Sequence, residues 1–113
     1  MQIMRVYRCV VVAGKEAEFR EYAFGKSHPG LRERAGLRAF FAARPLPGND
    51  DRTRCMVQIW ESVEAIETAL GNDWRDPPEL PLEAQAFVES QSVAHYELAD
   101  EYWADDAGVG KAV

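Results

Sequence analysis

No apolar run in this chain approaches the roughly 20 residues that a membrane-spanning helix needs, so no span is expected. The opening Met1-Gln2-Ile3-Met4-Arg5 lacks the charged and apolar regions of a secretory signal, which makes the cytoplasm the expected compartment. Basic residues are in deficit: 13 Lys and Arg against 19 Asp and Glu leave a net charge of -6. Nucleic acid and anionic membrane surfaces both demand a basic patch, so neither is an expected partner. Only two cysteines occur, Cys9 and Cys55, at a spacing that fits no zinc pattern. In a cytosolic chain such a pair is expected reduced and buried. Histidine is as scarce, with His28 and His95 the whole supply. The acidic stretch 97–106 carries no histidine to complete a ligand set, so it reads as a solvated edge and no metal is expected.

What remains is an ordinary globular composition. At 113 residues and 47% hydrophobic content the chain can build one real core but not two. The expected domain spans 1–103. Residues 104–113, acidic and then rich in Gly and Ala, are expected to fray.

The organising stretch is Met56-Val57-Gln58-Ile59-Trp60-Glu61-Ser62-Val63-Glu64-Ala65. Its apolar first half is too short for a helix core and reads as a buried strand. Ser62 then suits an N-cap, and Glu64 suits the positive end of the helix that follows. Upstream, 3–13 reads as a β-branched strand that is apolar on both faces and closed by Gly14. Residues 15–27 form a helix with Ala17, Phe19, Tyr22, Ala23 and Phe24 as its apolar stripe. Pro29 disfavours a helical His28, which predicts a kink and a further turn at 31–35 capped by Gly36. A hairpin of strands at 37–43 and 53–61 follows, then a helix at 63–70 ended by Gly71. A three-proline loop at 73–81, a helix at 82–90 and a last strand at 93–101 complete the chain.

The order β-α-β-β-α-β, with right-handed crossovers, folds into a four-stranded antiparallel sheet with helices on one face: α+β, ferredoxin-like. The other face is left open yet carries apolar side chains. A second copy of the chain is its simplest cover, so a homodimer is expected.

Three segments carry a resemblance. Gln58-Ile59-Trp60-Glu61-Ser62-Val63-Glu64-Ala65, the run His28-Pro29-Gly30-Leu31 through Gly36-Leu37-Arg38-Ala39-Phe40, and Val93-Ala94-His95-Tyr96-Glu97-Leu98 together resemble the antibiotic-biosynthesis monooxygenase family of the dimeric α+β barrel superfamily. The resemblance implies a homodimer with facing sheets and a pocket between each sheet and its helices. It implies either an oxygenase of polycyclic phenols that needs no cofactor, or a haem-degrading enzyme. The haem-degrading branch uses a first-strand Asn, the strand Trp and a histidine on the helix after it. Here Tyr7 stands at the Asn position and no histidine lies between Trp60 and His95, which makes haem degradation the lesser expectation.

Oxidation without a cofactor asks less of a protein. A deprotonated phenol or enol supplies the electron to oxygen itself, while the protein binds the ring and stabilises the anion. Tyr7, Tyr22, Gln58, Trp60 and Trp74 are the expected lining of such a pocket for a small aromatic molecule, and no cofactor is expected. His28 and His95 are the candidate proton acceptors, each weighed against a structural role. Trp60 reads equally as pocket wall and as packing residue. Arg5 and Arg8 are expected to pair with Glu97 or Glu101. Side-chain alternation adds a constraint: if Tyr7 and Trp60 share a face, Cys55 points away from Cys9 and both are free thiols. A small-molecule monooxygenase and a non-catalytic ligand-binding or accessory barrel both remain open.

Overall fold

The computed structural model describes residues 1–49 and 51–104. Four strands, β1 (Ile3–Val11), β2 (Leu37–Ala43), β3 (Thr53–Trp60) and β4 (Val88–Glu97), form one antiparallel sheet in the order β2-β3-β1-β4. Four helices, α1 (Glu16–Tyr22), α2 (His28–Arg32), α3 (Val63–Leu70) and α4 (Leu82–Gln85), connect them. The expected ferredoxin-like α+β fold is the fold observed. Of the residues expected to fray, 105–113 lie outside those described.

The strand-to-helix hinge after Trp60 follows its sequence. Ser62 takes an extended conformation and its hydroxyl accepts the Ala65 amide at 3.1 Å. Behind it the Glu61 amide donates to the Gly36 carbonyl at 2.8 Å, tying the turn before β2 to the start of α3. Gly36 stands at φ +87, and a Cβ there would lie 2.6 Å from the Ala65 Cβ. Only glycine meets both demands.

Two elements differ from expectation. His28 is helical, at φ -66 and ψ -44, despite preceding a proline. The helix absorbs Pro29 one turn earlier, in a π-helical turn over Ala23–Ser27. Pro29 has no amide to offer the Gly25 carbonyl, and its ring crowds that carbonyl, so widening the turn relieves both problems. The His28 amide accordingly reaches back five residues to Ala23. The extra residue rotates the stripe: Ala23 stays buried, but Phe24 turns to the surface at 61% exposure. The helix expected over 82–90 spans only Leu82–Gln85, and Leu82 faces solvent. The chain joins the sheet instead, because the Phe87 carbonyl accepts from the Val12 amide at 2.9 Å and β4 begins at Val88. A register shift between Val10 and Val11 accommodates the early start.

The densest packing lies at one end of the sheet. Ile3, Trp60, Ile66 and Trp74 form the core cluster, with Leu31, Leu37, Val63 and Leu70 around it. Among the described residues, no helix is long and apolar enough to cross a membrane.

Candidate functional site

The strand register lays the helix-facing side chains in rows across the sheet. Leu37, Trp60, Ile3 and Glu97 make the first row, and Phe40, Gln58, Arg5 and His95 the second. Ala42, Met56, Tyr7 and Val93 make the third, while Arg54, Cys9 and Gln91 stand in the fourth. Tyr7, Gln58 and Trp60 therefore share one face. Cys55 is paired with Arg8 and points to the other face, so both cysteines are free.

The first row is closed. Trp60 is completely enclosed, and its indole N–H donates to the Gln58 Oε1 at 2.8 Å. The Gln58 amide nitrogen donates on to the Met56 sulfur at 3.3 Å. Trp74 arrives from the loop after α3 and is nearly as buried. Its indole N–H reaches the Glu67 carboxylate at 3.4 Å, and the Arg75 guanidinium stacks on its ring at 4.1 Å.

The second row is polar and its centre is Arg5. Only 5% of this residue is exposed. The expected pairing with Glu97 or Glu101 does not form: no described carboxylate lies within ion-pair distance of Arg5, and the three observed ion pairs involve Lys15, Lys26 and Arg52. β4 runs antiparallel to β1 with His95, not a carboxylate, beside Arg5. The Arg5 Nη1 donates to the Trp74 carbonyl at 2.5 Å and meets the His95 Nε2 at 2.9 Å. Arginine only donates, so Nε2 must be the accepting nitrogen and His95 a neutral imidazole. Burial lowers the His95 pKa, and Arg5 and Arg75 lower it further. Burial also pulls the Arg5 pKa down, although a guanidinium keeps its proton inside proteins.

The third row is more open, while in the fourth Cys9 is enclosed between half-buried Arg54 and Gln91. Tyr7 is half-buried and donates its hydroxyl proton to the Gln91 Oε1 at 2.7 Å, while the Gln91 amide holds the Pro78 carbonyl at 2.5 Å. Burial, then the neighbouring Cys9 and Tyr22, push the Tyr7 pKa up, so it is a phenol and a donor. Burial likewise raises the Cys9 thiol. Tyr22 comes down from α1 against Phe87, with ring centroids 5.5 Å apart. It also lines a cleft of about 400 Å³ together with Glu18, Glu21, Lys26, Glu83 and Phe87.

The two histidines are not brought together. His28 sits at the opposite edge of the same face, between Phe24 (5.1 Å) and Phe40 (5.4 Å). Phe40 and His95 end the same row on opposite edges, three strand spacings or about 14 Å apart. One proton cannot be shared between them. Burial, then Arg32, lower the His28 pKa as well. Both native histidines thus bind protons less readily than an unfolded chain, whose imidazoles titrate near about pH 6.5. Stability is full above that value and is lost as pH falls through it toward the folded values. The melting temperature is expected to fall between about pH 7 and pH 5, above the carboxylate range. A His28→Phe, His95→Gln double variant should show a flatter profile. An identical pH slope in both proteins would show that neither histidine is held neutral.

Sequence reasoning named Tyr7, Tyr22, Gln58, Trp60 and Trp74, took Arg5 for an ion-pair partner of Glu97 or Glu101, and passed over Gln91. The signal for Arg5 was present: one cation in the otherwise apolar series Ile3, Tyr7, Cys9 and Val11.

No family model matches this sequence, and no curated protein matches it significantly. Solved structures do share the fold. SnoaB, a cofactor-independent oxygenase from Streptomyces nogalater, aligns at TM-score 0.65 and 16% identity, over 88% of this chain and 95% of its own. Rv0793 from Mycobacterium tuberculosis aligns at TM-score 0.66 and 13% identity, over 89% and 98%. The heme-degrading protein Rv3592 from the same organism aligns at TM-score 0.59 and 20% identity, over 91% and 100%. What these structures share with the chain is the ferredoxin-like α+β fold. At these identities the likeness leaves the chemistry to the chain's own residues.

Those residues do not suit a haem. The helix after Trp60 reads Val-Glu-Ala-Ile-Glu-Thr-Ala-Leu and has no histidine to offer an iron. The space beside Trp60 is filled by Ile3, Ile66 and Trp74.

Proposed function

We propose that the protein is a small-molecule monooxygenase that oxidises an aromatic or polyketide-like substrate without a cofactor, acting as a cytoplasmic homodimer. The substrate would lie between the sheet and the helices, over the half-buried Met56, Tyr7 and Val93 of the third row and beside Phe40 of the second. The supporting observation is the contrast between rows: a solid floor at Trp60, and beside it a less enclosed aromatic surface into which polar groups converge. A few fixed polar groups on an apolar concave surface are what orients a small molecule.

The chemistry belongs to the substrate. An enolate or phenolate carbon gives one electron to dioxygen, and the radical pair closes to a C–O bond. The hydroperoxide so formed then loses water to leave a ketone or quinone. For a CH₂ centre the balance is CH₂ + O₂ → C=O + H₂O. The protein holds the ring, excludes water, and favours the anion through a preorganised positive field. His95 is a neutral imidazole whose single lone pair, on Nε2, already accepts from Arg5, so it positions the guanidinium and takes up no proton while that bond holds.

The test is oxygen uptake with anthrone, the keto form of a polycyclic phenol. Uptake of one O₂ per quinone formed, well above the buffer rate and without added metal or flavin, is the expected result. A rate no faster than buffer would leave the binding or accessory role.

A further inference from the structure

We propose that Arg5 is the residue that anchors the anionic oxygen of a planar aromatic ligand. The inference rests on the substrate position proposed above and adds the side chain that holds the substrate's charge.

A buried cation is retained only where something compensates it, since losing hydration costs several kcal/mol even after relaxation. Proteins ordinarily supply a carboxylate. Arg5 is in the least exposed tier of the chain, yet no described carboxylate lies within 4.0 Å of it. Its partners are a carbonyl and a neutral imidazole, and both meet the same nitrogen, Nη1. A guanidinium carries five N–H donors in a planar fork. Nε and Nη2 have no hydrogen bond among the described residues. The charge and most of the fork are therefore uncommitted, although the two bonds at Nη1 fix its position.

The surroundings hold the field positive. His95 is neutral and leaves the Arg5 charge uncompensated. Tyr7 stays a phenol, and the second cation, Arg75, stacks on Trp74, whose carbonyl Arg5 holds. Glu67 is turned to the Trp74 indole N–H. A chain of net charge -6 repels anions at long range, so a local reversal of sign at a buried cation is selective for a matched, well-placed anion. Arg5 also lies at the boundary between the closed Trp60 row and the more open Tyr7 row. A ring lying over Tyr7 and Met56 would carry its oxygen to the guanidinium.

The test uses two probes of equal shape, 2-naphthoate and 2-naphthamide, bound to the intact protein and followed by calorimetry at pH 7.5. Naphthoate is expected to bind at least tenfold more tightly than naphthamide, or ~1.4 kcal/mol. Arg5→Gln should bring the ratio close to one, while Arg8→Gln on the opposite face leaves it unchanged. Should Arg5→Gln fail to fold, the side-chain ¹⁵N signal of Arg5 in the wild-type protein decides: it shifts with naphthoate and stays still with naphthamide. Equal affinity for the two probes, no binding of naphthoate, or a ratio that survives Arg5→Gln overturns the assignment. Oxygen plays no part in this readout. Charge-selective binding without oxygen uptake keeps Arg5 as the anchor and removes the monooxygenase; oxygen uptake from anthrone without charge selectivity does the reverse.

Discussion

Replacing Trp60 by alanine should cost about 3–5 kcal/mol, the range for deleting a fully packed aromatic side chain. Trp60 has no exposed surface, and Ile3, Ile66 and Trp74 enclose it with Leu37 and Val63 alongside. The hole left behind would be walled by two strands, α3 and the loop that carries Trp74, none of them free to collapse. A polar penalty is added. Gln58 is itself buried and accepts the indole N–H through Oε1, so the variant strands a buried acceptor at a cost of roughly 1–3 kcal/mol unless water enters. Trp60→Phe separates the two contributions, because it keeps most of the apolar volume and loses the donor. Urea unfolding of the three proteins measures both. A loss below about 1.5 kcal/mol for the alanine variant would mean that Trp60 borders open space, and the cleft would then extend past the second row.

The same result bears on where the site lies. Trp60 and Trp74 were expected as pocket lining, and both are on the helix-facing side with Gln58, Tyr7 and Tyr22. What the sequence could not convey is how tightly they close on each other. Trp74 comes from the proline-rich loop, whose path depends on the Arg5 bond to its carbonyl and on the Glu67 bond to its indole. The first of these joins residues 69 apart in the sequence, beyond the reach of local pattern.

Period and punctuation carried most of the fold. The alternation in 53–60, the Ser62 cap, and Gly71 after Leu70 each reappear at the expected residue, because each is decided by a few adjacent side chains. Alternation also decided the cysteines, since a period of two leaves Cys9 and Cys55 on opposite faces once Tyr7 and Trp60 share one. Where competing solutions lie close in energy the sequence was less legible. Pro29 could break the helix or widen the turn before it, and widening keeps the following turn with its buried His28. Residues 86–90 could extend a helix or join the sheet, and the Val12 amide, placed there by β1, selected the sheet. Arg5 was misjudged for a related reason. The register that decides whether a glutamate or a histidine stands beside it is set by the whole β1–β4 pairing and not by local pattern.

A single charge at Val57 should split the protein into monomers. The sheet face away from the helices presents Met4, Val6, Val57, Ile59, Ala94, Phe41 and Tyr96, by the same alternation that places Trp60 on the other side. Phe41 and Tyr96 are more than half exposed in the isolated chain, at 55% and 53%. Apolar surface of this extent marks an interaction site, and two copies meeting face to face would bury it on both at once. An obligate interface of that kind covers on the order of 2,000 Å² or more. Val57 lies between Val6 and Phe41 in the middle of the sheet, so Val57→Asp puts an unpaired carboxylate from each protomer into a dry contact. Light scattering at micromolar concentration is expected to give twice the chain mass for the wild type and the chain mass for Val57→Asp. The wild-type melting temperature should rise with protein concentration, and that of the variant should not. A wild-type monomer at these concentrations would remove the facing-sheet arrangement, and the apolar face would then need a different cover.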